Sequence, residues 1–117
     1  MADPFTPLDE QVRAADPDRW LSSRFVADLQ ARADLIALYA FEAELLAIPT
    51  RVTQPLLAEM RYVWWREQMD GVFAGVTRKG HPVLEALTEA AARRRLGQAT
   101  FDALIEAQIG RVRDEPH

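Results

Sequence analysis

Carboxylates four residues apart on a helix share one face and can grip a divalent cation between them, the arrangement that holds a diphosphate for chemistry. The chain offers that spacing at Glu85 with Glu89 and at Asp102 with Glu106. Both pairs read as solvent faces. Glu89 is followed four residues on by Arg93 in a favourable ion-pair order, and Asp102 sits in a first helical turn, where negative charge suits the helix dipole. Glu42 and Glu44 are two residues apart, so on a helix they point about 200° away from each other and cannot close on one ion. One of them is expected to be paired and the other to reach an edge, since buried carboxylates are rarely left alone. His81 precedes Pro82 at a helix start and His117 is terminal, so no triad or metal set forms around an imidazole. With no cysteine, thiolate chemistry and disulfides are closed. There is no glycine-rich phosphate loop, no serine with a positioned base and no zinc spacing. The sequence therefore assigns no catalytic, cofactor-binding or metal-ligating residue.

The remaining candidates are contact residues: Tyr39, Glu42, Arg61, Trp64, Trp65 and Arg66. Adjacent tryptophans point about 100° apart on a helix and cannot both face one neighbour, so one fills the core and the other a crevice. An aromatic wall beside Arg61 and Arg66 suits an apolar chain with an anionic head, although aromatics at helical spacing are more often plain core. Arg66 is placed to pair with Asp70. If the two long helices run antiparallel about the turn at Pro49 to Gln54, counting puts Glu42 level with Arg61. That contact is expected as a device fixing helix register, and removing one partner of such a buried pair costs about 3–5 kcal/mol.

Helices must position these residues. Proline and glycine divide the chain into helical blocks, with no alternating Val/Ile/Thr run to mark a strand, so the expected fold is an all-α antiparallel bundle. The spacing predicts a first helix from about Leu8 to Ala15, then an Asp16 cap with Pro17 at the first position of a second helix reaching Ser23. A third helix, about Asp28 to Ile48, opens with Asp28 and Arg32 on one face, turns apolar nearly all round, and is stopped by Pro49. The fourth runs from Gln54-Pro55 to about Ala74, with Gly75 as its left-handed cap. Val76 to Gly80 reads as a polar linker. His81-Pro82 opens a fifth helix ending near Leu96 with Gly97 beyond it, and Thr100 caps a last helix carrying the stripe Phe101, Leu104, Ile105 and Ile109, which frays from Arg113 to His117.

The chain of 117 residues is read as one domain, 1–117, and its 49% hydrophobic and 27% charged residues describe a folded helical protein. A net charge of −4 supplies no field for a phosphate backbone, and Arg93-Arg94-Arg95 reads as a complement to a helix C-terminus, so nucleic acid is not an expected partner. The acidic start (Asp3, Asp9, Glu10) lacks a continuous apolar core, so no secretory or transit signal is read and a cytoplasmic location is expected. Leu35 to Ile48, the most apolar segment, is shorter than the roughly 20 residues of a membrane span and is interrupted by Glu42 and Glu44.

Tyr39-Ala40-Phe41 and Arg61-Tyr62-Val63-Trp64-Trp65-Arg66, together with Asp18-Arg19-Trp20-Leu21, Gln54-Pro55-Leu56-Leu57, His81-Pro82-Val83 and Phe101-Asp102-Ala103-Leu104-Ile105-Glu106-Ala107, resemble the squalene/phytoene synthase family along nearly the whole chain. The resemblance implies the N-terminal half of the isoprenoid synthase fold. In that family a first aspartate motif follows Tyr-Ala-Phe and holds Mg²⁺ against the substrate diphosphate. Here the corresponding positions, about Leu46, Ala47 and Thr50, carry no carboxylate, and Gln108 and Arg111 stand where relatives often have arginine and aspartate. The chain looks most like the family's non-catalytic branch, which includes the synthase-like assembly factor of respiratory complex I. This implies a binding or assembly module, in the cytoplasm or peripheral at a membrane surface, with an isoprenoid or lipid as its ligand class. The family fold is longer than this chain, its second aspartate-rich helix falling beyond His117, so uncovered apolar faces and a homodimer or partner helices are expected. The alternative is a prenyl-diphosphate transferase, Mg²⁺-dependent, whose site another chain or segment completes.

Overall fold

The computed structural model describes residues 7–76 and 80–114. They form α1 (Pro7–Ala15), α2 (Pro17–Ser23), α3 (Leu29–Arg51), α4 (Pro55–Phe73), α5 (Pro82–Arg94) and α6 (Gln98–Asp114), with no strand among the described residues. The expected linker at Val76 to Gly80 falls partly on residues 77–79, and the expected frayed end partly on residues 115–117, both outside the described residues.

Local chemistry explains most of the boundaries. Asp16 accepts a hydrogen bond from the Arg19 amide at 3.1 Å with Pro17 just inside α2, and Asp28 accepts from the amides of Gln30 and Ala31, each satisfying donors that a helix start leaves free. The end of α4 is closed by Gly75 at φ +77: its amide donates to the Val72 carbonyl and that of Val76 to Gly71, the paired bonds of a left-handed glycine cap. His81 caps α5 by accepting the Leu84 amide on Nδ1 at 3.3 Å.

Several expected features are absent. Pro49 does not end α3, which continues to Arg51. A proline within a helix deprives the carbonyl four residues earlier of its donor, here Leu45, and the buried Tyr62 hydroxyl donates to that carbonyl at 3.0 Å from α4. The α5 helix ends at Arg94, and the left-handed residue is Arg95 at φ 51 rather than Gly97. Leu96 donates its amide to Ala91 and packs on the core, so the apolar contact after the cap decides where the chain turns. Thr100 lies inside α6, whose first residue, Gln98, reaches across to Asp70 at 2.7 Å. The Arg32 guanidinium donates to the carbonyls of Val26 and Arg24 and closes the α2–α3 connection.

The core lies where α3 packs on α1 and α5, and α4 on α5 and α6. Phe41 is at its centre, with ring centroids 5.6 Å from Trp65 and 5.4 Å from Phe101. Tyr62, Met69, Leu84, Leu87, Ile105 and Ile109 are fully enclosed around it, and each such side chain contributes about 1.5–3 kcal/mol of burial. Tyr62 meets Leu45 and Trp65 meets Phe41, so α3 and α4 run antiparallel as their short connection requires. No described helix is long and apolar enough to cross a membrane.

Candidate functional site along the open face of α3

Residues three and four apart on α3 line up as Leu35, Leu38, Tyr39, Glu42, Leu46 and Pro49, and none of them is buried. The α1–α2 pair rises on one side of this stripe and the corner between α5 and α6 on the other, leaving a groove. Against α1 and α2 lies a cavity of about 250 Å³ lined by Val12, Arg19, Tyr39, Leu46 and Ala47. Against the α5–α6 corner lies one of about 280 Å³, lined by Leu38, Phe41, Leu96, Phe101 and Leu104. Glu42 lines both, which makes it the charged midpoint of a largely apolar floor.

Its charge is met within the molecule. The Arg19 guanidinium donates to the Glu42 carboxylate from α2, lies 3.5 Å from Asp16 and stacks 5.3 Å from the Tyr39 ring centroid. The hydrogen bond to Glu42 pushes the Arg19 pKa up further, against the smaller opposing effect of burial. Glu44 turns away, accepting from Gln11 at 2.6 Å and lying 3.6 Å from Arg51. The two diverge as their spacing requires, but both are engaged, on separate partners, where one was expected only to reach an edge.

The other candidates lie elsewhere. Arg61 is exposed on α4 and does not meet Glu42; the levels match, but Glu42 faces the groove while the side of α4 turned to α3 carries Tyr62 and Trp65. Trp65 is buried and Trp64 half-buried, as expected of core and crevice. The two nevertheless share a neighbour: the His81 ring lies 5.8 Å from Trp64 and 5.4 Å from Trp65, while the indoles stand edge to face 5.2 Å apart. A ring at the ridge between two side chains touches both, which their angular separation alone did not anticipate. Arg66 pairs with Glu106 of α6 rather than with Asp70. Arg93 leaves Glu89 for Asp34, donating at 3.1 and 2.6 Å while Arg94 donates at 2.7 Å. Tyr39 and Glu42 therefore share a site, and Arg61, Trp64, Trp65 and Arg66 do not join it.

Sequence reasoning gave Arg19 and Asp34 no role. Arg19 stands three residues after a cap, a place with no signal that α2 folds over α3. Asp34 interrupts an apolar helix without a local partner, and that isolation was the available signal of a distant one. Gln108 and Arg111 line an open crevice of about 650 Å³ with Pro49 and Tyr62.

The positions where the resemblance would put metal-binding acids are settled by their surroundings. Leu46 and Ala47 are apolar lining of the first cavity, and Thr50 is exposed with its hydroxyl donating to the Ala47 carbonyl at 2.7 Å. Among the described residues no three His, Asp or Glu side chains converge as an ion-binding set. Mg²⁺ demands near-octahedral oxygen ligands, and the residues here do not fit it.

Neither a curated protein nor a solved structure matches the chain. Residues 12–116 match the squalene/phytoene synthase family model, and with that match over nearly the whole chain and an all-α fold, the chain belongs to the squalene/phytoene synthase family.

Proposed function

We propose that this chain is a non-catalytic member of the family that works by binding, as an assembly or scaffold protein of the kind the family's respiratory complex I branch contains. The observation that carries the reading is the chemistry of one turn of α3, where Leu46, Ala47 and Thr50 replace side chains able to hold Mg²⁺ and the nearby Glu42 and Glu44 are committed to Arg19 and to Gln11 with Arg51. A diphosphate leaving group carries too much charge to depart without a cation stabilising it, and a groove whose single guanidinium, Arg19, is already shared by Asp16 and Glu42 supplies none. The apolar length of the trough suits binding rather than turnover.

Calorimetry with farnesyl diphosphate, with Mg²⁺ and with chelator, tests this together with an assay for released pyrophosphate. The expected result is no Mg²⁺-dependent affinity and no pyrophosphate. Metal-dependent binding with release would overturn the proposal in favour of a prenyl-diphosphate transferase. Binding that persists in chelator, without release, would make the trough a lipid or isoprenoid pocket of a non-catalytic protein.

A further inference from the structure

Among the exposed apolar surfaces of the described residues, two match each other. One is the α3 groove, whose exposed apolar side chains include Leu46 (50% exposed) and Leu104 (47%). The other is the outer side of α4, where Met60 and Arg61 each lie three or four residues from both Leu57 and Trp64, so that the four share a face. Met60 is 59% exposed, and neighbouring Leu56 69%. Arg61 stands in the middle of this stripe, exposed and with no ion pair among the described residues.

Length and charge agree as well as polarity. From Leu57 to Trp64 the α4 stripe covers about 10 Å, and from Leu38 to Leu46 the groove floor covers about 12 Å. The groove carries Asp16 and Glu42 against the single guanidinium of Arg19, an excess of one carboxylate, midway along an apolar floor. The α4 stripe offers one cation midway along an apolar ridge. This is the pattern by which an amphipathic helix seats in a groove, with apolar anchors supplying affinity and a central charge pair fixing register.

We infer that a second copy of this chain occupies the groove, its α4 stripe lying along α3 so that Arg61 of one copy meets Glu42 of the other. Glu42 and Arg61 are level in sequence count but do not meet within one molecule; between two molecules the pair forms. One helix in one groove uses only a strip of each surface, whereas a stable interface takes about 800 Å² from each partner. The contact is therefore made twice about a two-fold axis, each copy giving its α4 and receiving the other's. This inference stands apart from the proposed function, since the dimer is read from mass and cross-links and the absence of catalysis from calorimetry and pyrophosphate release.

The absence of cysteine makes the test direct. Two single-cysteine variants of the full chain, Leu46→Cys and Met60→Cys, are mixed and treated with a short bismaleimide. The expected product is the mixed 46–60 dimer, formed in preference to 46–46 or 60–60 pairs. Sedimentation equilibrium on the unmodified chain is expected to show a dimer, and Arg61→Glu, at an exposed position that leaves helicity unchanged by circular dichroism, to weaken it roughly thirtyfold or more by setting two carboxylates face to face. A monomer at every concentration, a dimer cross-linked only through like positions, or a dimer indifferent to Arg61→Glu would each overturn the inference.

Discussion

Tyr62 puts its hydroxyl where Pro49 leaves a carbonyl without a donor, and both groups are enclosed, so one bond removes two buried polar debts. Burial pushes the phenol pKa up, with Arg111 opposing it weakly, which keeps the hydroxyl protonated and able to donate throughout the ordinary pH range. Tyr62→Phe retains the ring and strands the Leu45 carbonyl, so a loss of about 1–3 kcal/mol is expected in urea unfolding. The same loss measured in a Pro49→Ala background is expected to be smaller. Alanine restores the amide that bonds Leu45 along the helix, and the carbonyl no longer depends on Tyr62. A cost unchanged by Pro49→Ala would show that Tyr62 acts through packing alone.

Among the elements, those governed by neighbours in sequence were legible and those governed by distant contacts were not. Asp16, Asp28 and Gly75 end or begin helices by bonding amides within a few residues, and each announces itself by type and position. Pro49 does not stop its helix because its compensation comes from another helix, and Gly97 does not take the cap because the chain turns where Leu96 reaches the core. The same limit applied to the site. Glu42 and Tyr39 were singled out from their motif, yet Arg19, which holds them, depends on how α2 folds over α3. The α5 cap carries a testable consequence: Arg95 sits at φ 51, a region that costs a residue with a Cβ about 1–2 kcal/mol. Arg95→Gly relieves that cost and is expected to raise stability by about 1 kcal/mol, read as an upward shift in Tm; a decrease would mean that the arginine side chain does more there than the backbone loses.

At the scale of the whole molecule, the polar tie at Asp34 joins the start of α3 to the end of α5. Its carboxylate, 7% exposed, takes bonds from Arg93 and Arg94, whose guanidinia are 35% and 43% exposed. The Arg93 hydrogen bond, helped by that of Arg94, holds the Asp34 pKa below its ordinary value despite burial. As pH falls, the unfolded chain therefore takes up this proton before the folded one does. The contribution of Asp34 is complete above the ordinary carboxylate range and drains away as pH falls through that range toward the lowered folded value. Asp34→Asn removes the charge while keeping the shape, and the arginines left behind reach water, so the expected cost near neutral pH is about 2 kcal/mol rather than that of a stranded buried ion. The difference in unfolding free energy between the two proteins is expected to shrink steadily on acidification, since other paired carboxylates such as Glu59 with Arg113 titrate alike in both and cancel. A difference that stayed constant from neutral pH to below the carboxylate range would mean that Asp34 ties α3 to α5 by its shape and not by its charge.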